Sequence, residues 1–300
     1  MAEGSGAPDI AGEQDIRGIN VQKAVVGFSD NANIFKQFVR NSNTKNREVR
    51  WFQKTAGFLD TTPTSGITAS QIPKGAERAL PWVTGPQHTR NTSRILKFFI
   101  GSQTISMEDI NDTDVDILGT TIRDLVLAVA RQVDIHIYNI LTESQTPVDI
   151  LTTAATGAGW DDTVNGDPIL DLLIAREKII VQGYPLEGAV VAMNPIEHRH
   201  LMNFLISVKG SSIPNFSSEK VRSGVTMELL GLKVIVSEHV ITNSVAVWLP
   251  SFSANYKKFL PITSAVIDDP GIGKQIRVWE EGICLLTDPK SVHLTSVTIA

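Results

Sequence analysis

A single cysteine, Cys284, stands in 300 residues. One thiol closes no internal disulfide and builds no cysteine-based zinc site, so nothing points to an oxidising compartment. Long apolar runs are missing too. The longest, residues 125–130, is six residues, against the ~18 that a membrane span requires, so no membrane contact is expected. Early positive charge is also scarce. Glu3, Asp9, Glu13 and Asp15 precede the first basic residue, Arg17, so a secretory leader is not expected. What remains is 42% hydrophobic and 20% charged. A chain of this length and balance buries a sizeable core, which excludes disorder throughout. It has room for two lobes, or for one large domain with an appendage.

The net charge of −5 is unevenly spread. Residues 1–33 hold two basic and five acidic side chains, residues 34–100 eleven and three, and residues 101–300 fourteen and twenty-four. The basic segment therefore meets either nucleic acid or the acidic body of another copy of the chain. The mildly acidic whole argues against a dedicated, sequence-specific nucleic-acid binder.

Residues 1–33 read as an extended polar arm, followed by one or two amphipathic turns at residues 33–40. Residues 48–54 and 94–100 read as strands. Between them lie forty residues, 55–94, of which nineteen are Gly, Pro, Thr or Ser. Pro63, Pro73, Pro81 and Pro86 leave no room for a helix of ordinary length. The large apolar residues there are Phe58, Leu59, Ile67, Ile72, Leu80, Trp82 and Val83. Seven such side chains cannot offset the entropy of ordering forty backbones, so contacts outside its own fold must order this excursion, or it stays mobile.

The strongest helix spans residues 114–142. Val115, Leu118, Ile122, Val126, Val129, Val133, Ile137 and Leu141 form its apolar stripe, with Arg123, Asp124, Arg131, Gln132, Asp134 and Asn139 on the opposite face. Twenty-nine residues at ~1.5 Å each make a strut of about 43 Å. Residues 152–166 read as a linker. Asp167-Pro168 and Asn194-Pro195 each place a capping side chain before a proline at the first helical position, and so start two further helices. Strands are expected at residues 189–193, 230–237, 245–249, 275–286 and 292–299, with a turn at residues 268–273. The class is α+β.

Catalytic and metal chemistry find no foothold. His198 and His200 in Glu197-His198-Arg199-His200 are two apart and diverge by about 200° on a helix, so they cannot share an ion. Gly271-Ile272-Gly273-Lys274 lacks the Ser/Thr and the following helix of a phosphate loop, and reads as a turn. Cys284 sits between apolar neighbours in a strand and reads as a buried core residue rather than a nucleophile. No G-x-S-x-G occurs. No catalytic, cofactor or metal site is expected.

The order of parts resembles a known family. It runs from a polar arm through a basic loop between two strands to the turn Ile105-Ser106-Met107-Glu108-Asp109-Ile110 and the strut helix. A second lobe follows, with Val190-Val191-Ala192-Met193-Asn194-Pro195, Leu229-Leu230-Gly231-Leu232-Lys233-Val234-Ile235-Val236-Ser237 and Val278-Trp279-Glu280-Glu281-Gly282. Together these resemble the major capsid proteins of tailed phages, the Hong Kong 97 fold, over residues 34–300.

The resemblance implies an N-terminal arm (1–46), an extended β-hairpin loop (47–100) and a peripheral domain with the spine helix (101–165, completed by 276–300). It also implies an axial domain (166–275). The role implied is self-assembly, as hexamers and pentamers, into an icosahedral shell around double-stranded DNA. The implied site is the virion, with assembly in the host cytoplasm. A separate scaffolding protein, a portal and an optional decoration protein are the implied partners. The loop would lie over a neighbouring subunit, with Lys74, Arg78, Leu80, Trp82, Arg90 and Arg94 as its contacts. A cargo-enclosing encapsulin shell shares the fold, and a soluble enzyme is the alternative of a different class.

Overall fold

The computed structural model of the protein describes residues 34–54, 88–112, 117–208 and 228–296. The apolar stripe that predicts the strut produces a helix at Ile117–Leu141. Val115 of the stripe lies outside the described residues. At the other end the Thr142 hydroxyl donates to the Tyr138 carbonyl at 2.9 Å. Glu143, Ser144 and Gln145 then take positive φ, which ends the helix.

In chain order the strands are β1 (Arg40–Asn43), β2 (Glu48–Gln53), β3 (Thr89–Arg94), β4 (Leu96–Gly101) and β5 (Ile105–Ser106). Helix α1 (Met107–Asp112) and the spine helix α2 (Ile117–Leu141) follow. The second half runs β6 (Leu151–Ala154), α3 (Pro168–Val181), β7 (Val190–Met193), α4 (Pro195–Asn203), β8 (Glu228–Leu229), β9 (Leu232–Val236) and β10 (Ser244–Trp248). It closes with β11 (Ala254–Asp269), β12 (Gly273–Leu286) and β13 (Val292–Ser296).

Among the described residues these strands form three sheets. The first has the order β1-β11-β12-β4, with β5 also on β12. Its frame is the long antiparallel hairpin β11–β12. The second has the order β6-β13-β10-β7-β9-β8. The third is the two-stranded ribbon β2–β3. Strands β7 and β10 are buried along their whole length. They read as continuous apolar runs because cores lie on both faces of their sheet.

The spine helix joins the two large sheets. In its first half Ile122, Leu125, Val126 and Val129 pack on Ile262, Ile276 and Val278 of the hairpin. In its second half Val133, Ile137, Tyr138 and Leu141 enter a core shared by Tyr256 and Cys284 of the hairpin and Ala192, Trp248 and Leu294 of the six-stranded sheet. The far face of that sheet (Val191, Met193, Val245, Val247) is covered by Leu172, Ala175 and Ile179 of α3 and Leu201 of α4. Both helices start as expected. The Asp167 carboxylate accepts from Ile169 and Leu170 N–H, and the Asn194 side chain from Ile196 N–H.

Four sequence expectations change. Strand β13 pairs with β10 and β6, so it belongs to the six-stranded sheet rather than completing the spine-helix body with β12. Strand β11 pairs with β12 beside the spine helix rather than lying in the second lobe. Sequence alternation misses β11 because Lys257-Lys258 and Pro261 interrupt it. The register slips between Lys258 and Thr263, and Pro261 lies past the end of β1, which pairs only as far as Lys258. A proline there removes no ladder hydrogen bond with β1. The strand expected at 94–100 is two strands turning at Ile95, whose N–H donates to Arg47 O at 3.0 Å. Finally, Asp134 is buried rather than on an exposed polar face.

Gly282 shows how tightly the spine-helix face of the hairpin is packed. A Cβ there would stand 2.3 Å from the Tyr256 hydroxyl. Gly282→Ala is expected to lower stability by about 1–3 kcal/mol, the usual cost of overpacking. Denaturant unfolding checks this, and unchanged stability would contradict the packing.

Candidate interaction surface

The ribbon β2–β3 is the described stem of the long loop. Its register sets Glu48 against Arg94, Arg50 against Thr92 and Phe52 against Arg90. Directly opposed residues share a face, so these six side chains form one face of the ribbon. All six are exposed, and Phe52 is 61% exposed. The other face holds the partly buried Val49, Trp51, Asn91 and Ser93, with Trp51 Nε1 donating to Ser93 Oγ at 3.0 Å. One sequence-predicted pair, Arg90 and Arg94, therefore stands together with Arg50 around an exposed aromatic ring. Lys74, Arg78, Leu80 and Trp82 lie outside the described residues. Strand β3 escaped the sequence reading because Thr89–Arg94 (TRNTSR) carries no apolar side chain to alternate. The signal for its face was the arginine spacing, 90 and 94, matching 52 and 48 across the ribbon.

The ribbon is anchored to its own chain at both ends. Lys54 N–H donates to Thr287 O at 2.9 Å. At the other end an Arg47 guanidinium nitrogen lies 3.5 Å from Glu281 Oε2.

Below the ribbon the spine helix holds the segment that leads in from the arm. The Asp134 carboxylate accepts from the backbone N–H of Ile34, Phe35 and Lys36 at 2.6, 3.2 and 3.4 Å. These are the first donors of the short 3-10 helix Phe35–Phe38. Lys36 ion-pairs with the buried Glu280, which also accepts from Tyr256 Oη at 2.9 Å. Burial pushes the Asp134 carboxyl up from 3.8 to about 6, although the three N–H donors and Lys36 pull the other way. A raised folded pKa means that this group's contribution is fully present below about 4 and is lost as pH rises through about 6. The contribution is roughly 2–3 kcal/mol, at ~1.4 kcal/mol per pH unit. Asp134→Asn removes the titration and is expected to flatten unfolding free energy against pH between 4 and 6. Parallel pH profiles for wild type and variant would contradict this.

The remaining sequence candidates have structural roles. Glu197 is buried and accepts from Asn243 N–H at 2.7 Å, which ties α4 to the turn before β10. His198 sits half-buried on that helix, and burial lowers its pKa. Among the described residues no cluster of metal-ligating side chains forms. Gly271 takes φ +81° in the hairpin turn, and at Gly273 a Cβ would lie 2.0 Å from Ile105 O. Gly273 thus admits the close approach of the paired strand β5, and Gly271 the left-handed backbone of the turn. Cys284 is buried and its thiol is pushed up to about 12, so it is inert. Among the described residues no helix is long and apolar enough to cross a membrane.

A family model for phage capsid proteins matches residues 90–290. The chain belongs to the phage capsid protein family. It is a structural major capsid protein of the Hong Kong 97-like fold. The fold is similar to that of solved structures at low sequence identity. The capsid of cyanophage P-SCSP1u shares 11% identity at a TM-score of 0.63, covering 89% of each chain. For Mycobacterium phage Che8 the values are 16% and 0.62, covering 89% of this chain and 92% of that one. A virus-like particle from Pyrococcus furiosus gives 10% and 0.61, covering 93% and 99%. No curated protein sequence matches the chain.

Proposed function

We propose that this capsid protein forms, as hexamers and pentamers, the icosahedral shell that encloses the double-stranded DNA of a tailed virus. Its work is mechanical rather than catalytic. Assembly takes place in the host cytoplasm, with a separate scaffolding protein, a portal and an optional decoration protein as partners. The arm is residues 1–46 and the clasp is the loop 47–100, whose contacts are Lys74, Arg78, Leu80, Trp82, Arg90 and Arg94. The peripheral and axial bodies are those built on the hairpin sheet and the six-stranded sheet. The observation that carries the reading is the ribbon. It presents three arginines and an exposed phenylalanine on one outward face, with no ion-pair partner for Arg90 or Arg94 among the described residues. An exposed aromatic within a charged rim is what a subunit interface uses as its anchor.

The shell binds its genome only weakly. The acidic body repels phosphate, and the basic loop is committed to neighbouring copies. Isolated subunits are expected to show no sequence preference among DNA duplexes at physiological salt. Selective, salt-sensitive binding in a mobility-shift titration would contradict this. An encapsulin-type shell is the less favoured reading, because the matching family model is that of phage capsids. Mass measurement of purified particles, with and without nuclease treatment, separates a genome shell from a protein-filled one.

A further inference from the structure

The segment between β6 and α3 carries a chemistry that shell building does not use. Asn165-Gly166 is the one Asn-Gly pair in 300 residues. In an unfolded chain such a pair converts unaided. The Gly166 backbone nitrogen gives up its proton and attacks Asn165 Cγ. The bond from Cγ to Nδ2 breaks, ammonia leaves, and a cyclic succinimide closes. Water then opens the ring at either carbonyl, giving aspartate or isoaspartate. Glycine favours the attack because it adds no side chain beside the nitrogen and restricts the backbone least.

Asn165 is exposed to solvent, yet both of its reacting groups are engaged elsewhere. Asp162 engages them. Its carboxylate accepts from Val164 and Asn165 N–H at 2.8 and 3.2 Å, and from Asn165 Nδ2 at 2.9 Å. Its carbonyl accepts from Gly166 N–H at 3.0 Å. The proton that must leave is therefore committed, and the amide that must be attacked is anchored three residues back. The hydrogen bond from Val164 N–H, with those from Asn165, lowers the pKa of Asp162, so the carboxylate stays ionised at neutral pH. A negative charge there also opposes the anionic nitrogen and the oxyanion that the attack creates.

The product does not fit the closed turn. A Cβ at Gly166 would stand 2.4 Å from Gly159 O and 2.7 Å from Asp162 O, and Gly166 pairs with Gly157 in an antiparallel bridge. Isoaspartate would put an extra methylene into the main chain at this point. The consequence reaches the start of α3. Asp167 caps that helix, and the buried Asp171 in its first turn accepts from Thr156 N–H at 2.8 Å and Trp160 Nε1 at 2.7 Å.

We propose that Asn165 is a site of spontaneous deamidation that Asp162 keeps unreacted while the turn is closed, so that conversion marks copies in which residues 155–171 have opened. No enzyme, metal or second copy takes part.

Peptide mapping by mass spectrometry, on full-length protein incubated at neutral pH, gives the fractions of asparagine, aspartate and isoaspartate at position 165. Native wild type is expected to convert at least about tenfold more slowly than the same chain in urea, because reaction has to wait for local opening. Asp162→Ala is expected to bring the native rate to within about threefold of the unfolded one, while melting shows that the fold persists. Should that variant not fold, Asp162→Asn keeps the size of the side chain and removes the charge, and is expected to convert faster than wild type. Equal rates for native and unfolded wild type would overturn the proposal. So would a folded Asp162 variant that converts no faster than wild type. Limited proteolysis supplies an independent readout. Copies carrying isoaspartate are expected to be cut within residues 155–167 under conditions that leave unconverted copies intact, and equal resistance would contradict the opening.

Discussion

Val126→Asp is expected to remove soluble, assembling protein altogether. Val126 is fully buried between the spine helix and the hairpin, against Ile262, Ile276 and Val278. A carboxylate there loses its water and gains no cation, because the nearest cluster is wholly apolar. Leaving a buried charge unpaired costs several kcal/mol, a large part of the ~5–15 kcal/mol that holds a typical domain together. The same helix does tolerate a buried carboxylate two turns on. Asp134 is acceptable because three backbone N–H groups and Lys36 meet it. The contrast lies in the partners: burial disfavours the charge at both positions, and at Asp134 the N–H donors and Lys36 offset part of that cost. Soluble expression and particle yield check it. Normal particles from Val126→Asp would mean that this face of the helix does not carry the core.

Deleting residues 66–86 is expected to leave a folded subunit that forms no stable shell. The deletion lies outside the described residues and spares β2, β3 and their anchors at Glu281 and Thr287. It removes Lys74, Arg78, Leu80 and Trp82. Within the loop, Trp82→Ala is expected to weaken assembly more than any single arginine-to-alanine change. An aromatic in a dry pocket commonly contributes about 2 kcal/mol or more, whereas an exposed ion pair gives about 0–1 kcal/mol. Melting and sedimentation together separate folding from assembly. A deletion variant that assembled like wild type would contradict the clasp.

Much of this architecture was legible in the sequence where local chemistry decides it. The stripe from Ile122 to Leu141 and the Asp-Pro and Asn-Pro helix starts depend on neighbours three or four residues away. The buried β7 and β10 runs and the hairpin turn around Gly271 were legible for the same reason. What stayed hidden depends on partners far along the chain. Asp134 looks like a surface residue until residues 34–36, a hundred positions earlier, supply its donors. Strand β3 has no apolar residue and is a strand only because β2 pairs with it. Strand β13 looks like a continuation of β12, yet the short 3-10 turn Pro289–Ser291 redirects it to the other sheet. For the interaction surface, the net positive charge of residues 34–100 was readable at once. The placing of Arg50, Arg90, Arg94 and Phe52 on a single face was not, because it follows from a cross-strand register over some forty residues.

Electron microscopy of the purified full-length chain, beside its sedimentation profile, is the most direct test of the central claim. Closed icosahedral particles in the megadalton range are the expected result, with head-to-tail contacts around each capsomer. A discrete small oligomer across a range of protein and salt concentrations, with scaffolding protein supplied, would contradict it.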